Sequence, residues 1–131
     1  METRSRPRPR PEVRITRDVI PFDLVGQART LRDEKPWADH GHDAMTLFRR
    51  DHSRAVLIVL KAGMKIPQHE TPASVTLQPV EGRVRVHLRG EIIELGPHTL
   101  LSLESHVRYD IEARSQDVTL LLTFSPCGRA S

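Results

Sequence analysis

Aromatic side chains are scarce in this chain, with three Phe, one Trp and one Tyr among 131 residues. A surface that reads nucleic acid by stacking bases on rings needs more of them. Cysteine is scarcer still: Cys127 stands alone, which excludes an internal disulfide and any cysteine metal cluster. Its place near the C-terminus reads as a bystander thiol. Long apolar runs are missing too. The longest, residues 55–60, ends at Lys61 and falls far below the roughly 18 residues that a membrane helix needs. The N-terminus carries charge with no apolar stretch behind it, so neither a signal peptide nor an anchor is read there, and a cytoplasmic protein is the default.

What is present in excess is positive charge, and it is local. Residues 1–17 hold six arginines and two glutamates, a charge of +4, so residues 18–131 carry −1 against +3 for the whole chain. Alternating Arg and Pro over residues 4–11 has nothing apolar to bury and cannot continue a helix. Residues 1–11 therefore read as a disordered, solvated tail, and residues 12–131 as one domain. Because the body is nearly neutral, nucleic acid is not the expected partner.

The body reads as strands. One helix is expected over residues 23–32, with Asp23 as N-cap, Leu24, Ala28 and Leu31 at helical spacing, and Pro36 as its stop. From residue 44 onward, short apolar segments alternate with Gly, Pro and charged turns. Strands are expected at 45–49, 54–60, 75–80, 83–89, 91–95, 99–103, 107–112 and 118–124. Two show a period of two. Val84, Val86 and Leu88 alternate with Arg83, Arg85, His87 and Arg89, and Val107, Tyr109 and Ile111 alternate with His106, Arg108, Asp110 and Glu112. Tyr109 is thereby expected inward, and His87 and His106 outward. His40 and His42 flank a turn glycine and His98 follows Gly96-Pro97, so all three read as solvated turn residues.

The segment from Gly63 through His69 to Thr71, followed by Gly82, resembles the first motif of the cupin superfamily: Gly, five residues, His-x-His, three or four residues, Glu, six residues, Gly. Gly63, His69 and Gly82 fall at the matching spacings. The resemblance covers roughly residues 20–125 and implies an all-β double-stranded β-helix, or jelly-roll barrel. It also implies a homodimer, as small single-domain cupins generally are. The Val-x-Ile alternation between Val13 and Ile20 suits a strand added to a partner's sheet.

At the ligand positions the sequence departs from the family. Thr71 replaces the second His and Val75 the Glu. The second motif (Gly, five residues, Pro-x-Gly, two residues, His, three residues, Asn) aligns with His98, Glu104, His106, Tyr109 and Ala113. Metals in such barrels are held by several imidazole and carboxylate donors, and only His69 remains. No metal or other cofactor is expected. Met64, Leu77, Gln78 and Phe124 are the expected pocket walls beside His69, Thr71 and Tyr109. Three functions follow: a metal-free barrel binding a small molecule as a sensor or regulatory module; a metal-independent isomerase or epimerase with His69 as base and Tyr109 as acid, a pairing implied by the resemblance; and, more remotely, a metal-dependent dioxygenase-like cupin.

Overall fold

A computed structural model of the chain describes residues 18–68 and 70–126. The Arg/Pro tail, most of the segment between Val13 and Ile20, His69 and Cys127 lie outside the described residues. Helix α1, Leu24–Arg32, starts where its cap dictates: Asp23 is extended and its Oδ1 accepts the Gly26 N–H at 3.1 Å. The helix ends at Arg32, before Pro36 is reached. Pro36 instead sits in the first turn of a second helix, α2, Lys35–His40, where a missing N–H costs no hydrogen bond. This short helix was not expected, because proline was read only as a stop. It closes on Gly41 at φ 80°, whose N–H donates to the Trp37 carbonyl at 3.0 Å.

Nine strands follow among the described residues: β1 His42–Arg50, β2 Ser53–Leu60, β3 Lys65–Gln68, β4 Ser74–Glu81, β5 Val84–Leu88, β6 Glu91–Leu95, β7 Leu101–Leu103, β8 Tyr109–Ala113 and β9 Val118–Ser125. Eight of them overlap the eight expected segments. Strand β3 was missed because Pro67 interrupts its pattern. It is tolerated there because β3 is an edge strand paired only with β8. All pairings are antiparallel and build two sheets, β1-β2-β9-β4-β7 and β3-β8-β5-β6.

The two sheets face each other across the main core. Ile58 and Leu60 of β2, Val75 and Leu77 of β4, and Leu120 and Leu122 of β9 pack against Val84, Val86, Leu95, Tyr109 and Ile111 of the other sheet. The back of the five-stranded sheet makes a second core with the helices. There Ala55, Leu57 and Val59 of β2 meet Ala28 and Leu31 of α1, each nearly or fully buried. Each buried Leu contributes about 1.5–3 kcal/mol of transfer free energy. Polar groups stitch the same layer: Arg32 Nη2 donates to Thr119 Oγ1 at 2.8 Å, and that hydroxyl donates to Glu81 Oε1 at 2.8 Å. The Arg32 and Lys61 cations lie 5.3 and 5.4 Å from the centre of the Trp37 ring.

The two motif glycines have different physical reasons. Gly63 adopts φ 87° in open space, so backbone conformation alone selects it. Gly82, at φ 81°, also has the Asp117 carbonyl oxygen against the place where a Cβ would stand, so any side chain would collide with backbone.

Candidate functional site

The barrel interior has two ends, and the register separates them. Gln68 of β3 pairs with Tyr109, whereas Met64 lies level with Ala113, whose N–H donates to the Met64 carbonyl at 2.8 Å. Four residues of strand β8 separate the two levels, roughly 13 Å at about 3.3 Å per residue. Met64 therefore sits at the end opposite Tyr109, with its Cγ and Sδ packed close to Gly41. Gln78 is exposed on the outer side of β4, away from the interior. Leu77 is fully buried one step below Val75.

Tyr109, Phe124 and Val75 share the other end. Phe124 pairs with Val75 across β9 and β4, and Val75 in turn with Leu103. Burial pushes the Tyr109 phenol above its ordinary value of 10.0, while the Arg54 charge pulls in the opposite direction. The phenol is thus protonated at neutral pH. Thr71 is half-buried; its hydroxyl oxygen accepts the Ala73 N–H at 3.2 Å and its carbonyl accepts the His106 N–H at 2.7 Å. The hydroxyl shapes the turn before β4. His69 lies outside the described residues.

Arg54 is the residue that sequence reasoning missed. It alternates along β2 with Val56, Ile58 and Leu60, all of which pack into the main core, so it belongs to the inward face. Its pairing partner in β9 is Phe124, and its guanidinium carbon lies 4.1 Å from the centre of that ring. The signal was present: an arginine in phase with the inward positions of an apolar strand. It stands first in the expected strand 54–60, beside an apolar run that shows no period of two.

The remaining histidines stay outside the interior. His87 Nε2 lies 2.7 Å from Glu112 Oε1 on the outer face of the four-stranded sheet. His106 is exposed in the turn before β8, 3.7 Å from Glu70. His40 and His42 have ring centres 6.3 Å apart. Among the described residues no group of three or more His, Cys, Asp or Glu is placed to hold a metal ion. Val75 has no donor atom, Thr71 is a neutral hydroxyl already used in a turn, and Tyr109 is a buried protonated phenol. These positions do not fit the metal that the motif implies, and no step is routed through one.

The outer face of the four-stranded sheet carries a separate polar cluster. Arg83, Arg85 and Arg114 all approach Glu94, at 3.8, 3.2 and 3.2 Å, beside a shallow cleft of about 60 Å³ that Ser115 and Gln116 also line. The cleft lies apart from the interior end that holds Tyr109.

No protein-family model and no curated protein matches the sequence. Solved structures do match. A cupin superfamily protein from Desulfitobacterium hafniense is similar over 66% of this chain and 79% of its own, at 16% identity and a TM-score of 0.62. An RmlC-like cupin family protein from Methanocaldococcus jannaschii, described as a double-stranded β-helix, is similar over 67% and 84%, at 19% identity and a TM-score of 0.61. The Cupin_2 domain of an XRE family transcriptional regulator from Enterobacter cloacae is similar over 69% of this chain and all of its own, at 17% identity and a TM-score of 0.61. With two facing antiparallel sheets, motif glycines at positive φ and these neighbours, the chain has the cupin fold, the double-stranded β-helix.

Proposed function

We propose that the chain is a metal-free cupin barrel that binds a small molecule at the interior end marked by Arg54, Tyr109 and Phe124, acting as a cytoplasmic sensor or regulatory module. One observation carries this reading. A guanidinium and a protonated phenol stand among apolar side chains at the end that holds Tyr109 and Val75, and of the four aligned donor positions three carry Thr71, Val75 and Tyr109 instead, leaving only His69. A few polar groups converging in an apolar concavity is the usual make-up of a small-molecule site. The regulatory role draws on the Enterobacter cloacae neighbour, a domain of a transcriptional regulator. The test is elemental analysis of the purified protein, with native mass spectrometry for a co-purifying organic molecule. Far less than one metal equivalent together with a retained small molecule supports the reading; a full equivalent of iron, manganese, nickel or zinc overturns it.

A second reading, a metal-independent isomerase with His69 as base and Tyr109 as acid, is favoured by the protonated state of Tyr109, which an acid must have at neutral pH. Solvent deuterium incorporation alpha to a substrate carbonyl, lost in Tyr109→Phe, separates it from a binder. The protein is proposed to work as a homodimer, joined through the segment between Val13 and Ile20. Light scattering that returns a mass near 14.9 kDa at micromolar concentration would count against that assembly.

A further inference from the structure

We infer that the outer face of the four-stranded sheet carries a second ligand site, independent of the barrel interior: a phosphate dianion, free or as the monoester head of a small molecule, seated by Arg83, Arg85 and Arg114. The strand register sets up the charge. Val84 pairs with Ala113 of β8 and with Leu95 of β6, so one step beyond it Arg83 stands opposite Arg114 on one side and Gly96 on the other. Like charges directly opposite destabilise a strand pair, and no acid stands in that row. In the next row on the same face Glu94, Arg85, Glu112 and Lys65 lie side by side and sum to zero. The two rows together carry the +2 of Arg83 and Arg114.

Among the described residues, Glu94 is the carboxylate that reaches all three guanidinium groups. Its Oε2 accepts from Arg85 Nε and from Arg114 Nη1, each at 3.2 Å, and its Oε1 lies 3.8 Å from Arg83 Nη2. Three forks of donors therefore share one carboxylate. The neighbouring acids are engaged elsewhere: Glu112 with His87 at 2.7 Å, Asp117 with the Ala62 N–H at 2.9 Å and Glu81 with the Thr119 hydroxyl at 2.8 Å. The Arg83 guanidinium is also given room. A Cβ on Gly96 would meet Arg83 Nη1, so only glycine leaves that place to the guanidinium. The three arginines line the cleft of about 60 Å³ with Ser115 and Gln116, whose side chains carry neutral donors. A cleft of that size takes a phosphate group and leaves its carrier in solvent. Charge sets the valence: +2 is neutralised by a dianion, and a phosphomonoester carries about −1.5 to −2 at pH 7. Its tetrahedral oxygens accept from several forks at once, whereas a planar carboxylate is filled by one.

The test uses full-length protein titrated calorimetrically at constant ionic strength in chloride, in separate arms with inorganic phosphate, phenyl phosphate and, as a monoanionic control, dimethyl phosphate. Wild type is expected to bind one of the first two about 10-fold more tightly than dimethyl phosphate, and the tighter of the two names the source, free or carried. Arg83→Gln/Arg114→Gln, at side chains more than half exposed, is expected to erase that preference. Gly96→Ala keeps every charge and crowds the Arg83 guanidinium, so phosphate binding is expected to weaken about 3-fold. Circular dichroism checks the fold of each variant. If Gly96→Ala does not fold, the arginine double variant still decides. Equal binding of monoester and diester by wild type, or no measurable binding of either phosphate, overturns the site. A preference that survives in the double variant moves the anion to other cations, such as the N-terminal arginines, and overturns the role of these two. Unchanged binding in Gly96→Ala would show that charge alone attracts the anion, and overturns the placed fork.

Discussion

The two sheets of this barrel solve the burial problem differently. The five-stranded sheet is covered on one face by the opposite sheet and, over β1 and β2, on the other by the helices, so β2 runs Ala55 to Leu60 without a polar residue and four of its last five residues are almost inaccessible. The four-stranded sheet is covered on one face only. Its central strands β5 and β8 alternate strictly, with Val84, Val86, Tyr109 and Ile111 inside and Arg85, His87, Asp110 and Glu112 outside. The difference teaches where each sheet's stability resides: in apolar contact on two faces for one, and in apolar contact plus a polar lattice for the other.

The largest effect should come from the doubly covered sheet. Leu57 is fully buried against α1, and truncation leaves a cavity that neither the helix nor the neighbouring strands can fill. Leu57→Ala should cost about 2–5 kcal/mol, whereas His87→Ala, on the solvent face of the other sheet, should cost no more than about 1 kcal/mol. Urea unfolding of both variants checks the contrast. Equal losses would mean that the helical layer adds little to the sheet beneath it.

The same contrast explains what was legible in the sequence. Period two was visible in β5 and β8 because water selects one of their faces. It was invisible in β2 and β9, which read only as apolar runs, so the inward phase of Arg54 passed unnoticed. The alignment of the second motif was legible in a way that the backbone now makes physical. His98 and His106 stand where the family pattern has glycine, and both adopt positive φ, 74° and 67°. Residues with side chains hold, at these two positions, a backbone conformation that glycine adopts most easily. Asp51 and His52, at φ 47° and 68°, likewise hold a two-residue hairpin usually made with Asp-Gly. Such turns cannot be read from residue type alone, and neither could β3 or α2, each of which contains the proline that argued against it.

A smaller effect sharpens the comparison from the helical side. Helix α1 has no acidic residue in its first turn, so its start depends on Asp23, whose carboxylate accepts the Gly26 N–H. Asp23→Ala should lose about 1 kcal/mol, with Asp23→Asn recovering most of it. Hydrogen exchange should show the loss first in α1 and at the back of β2, and leave β5 and β8 unchanged. Uniform acceleration across both sheets would show that the helical cover and the barrel open as one unit.

The smallest effect concerns the polar lattice and depends on pH. Glu112 is held below its ordinary value of 4.5, first by its hydrogen bond with His87, and Glu94 is held below 4.5, first by its hydrogen bond with Arg85 and then by the charges of Arg85, Arg114 and Arg83. A carboxyl whose folded value is depressed binds fewer protons folded than unfolded. Its contribution is therefore complete above about 4.5, the unfolded value, and disappears as pH falls through the lower folded value. Glu94 is exposed and Glu112 partly so, so salt should weaken the effect. The melting temperature of the wild type is expected to fall more steeply below pH 4.5 than that of a Glu94→Gln/Glu112→Gln variant, and the two slopes should converge at high ionic strength. Parallel slopes at low salt would show that the lattice follows the fold of the four-stranded sheet without stabilising it, leaving the apolar face as the whole of that sheet's stability.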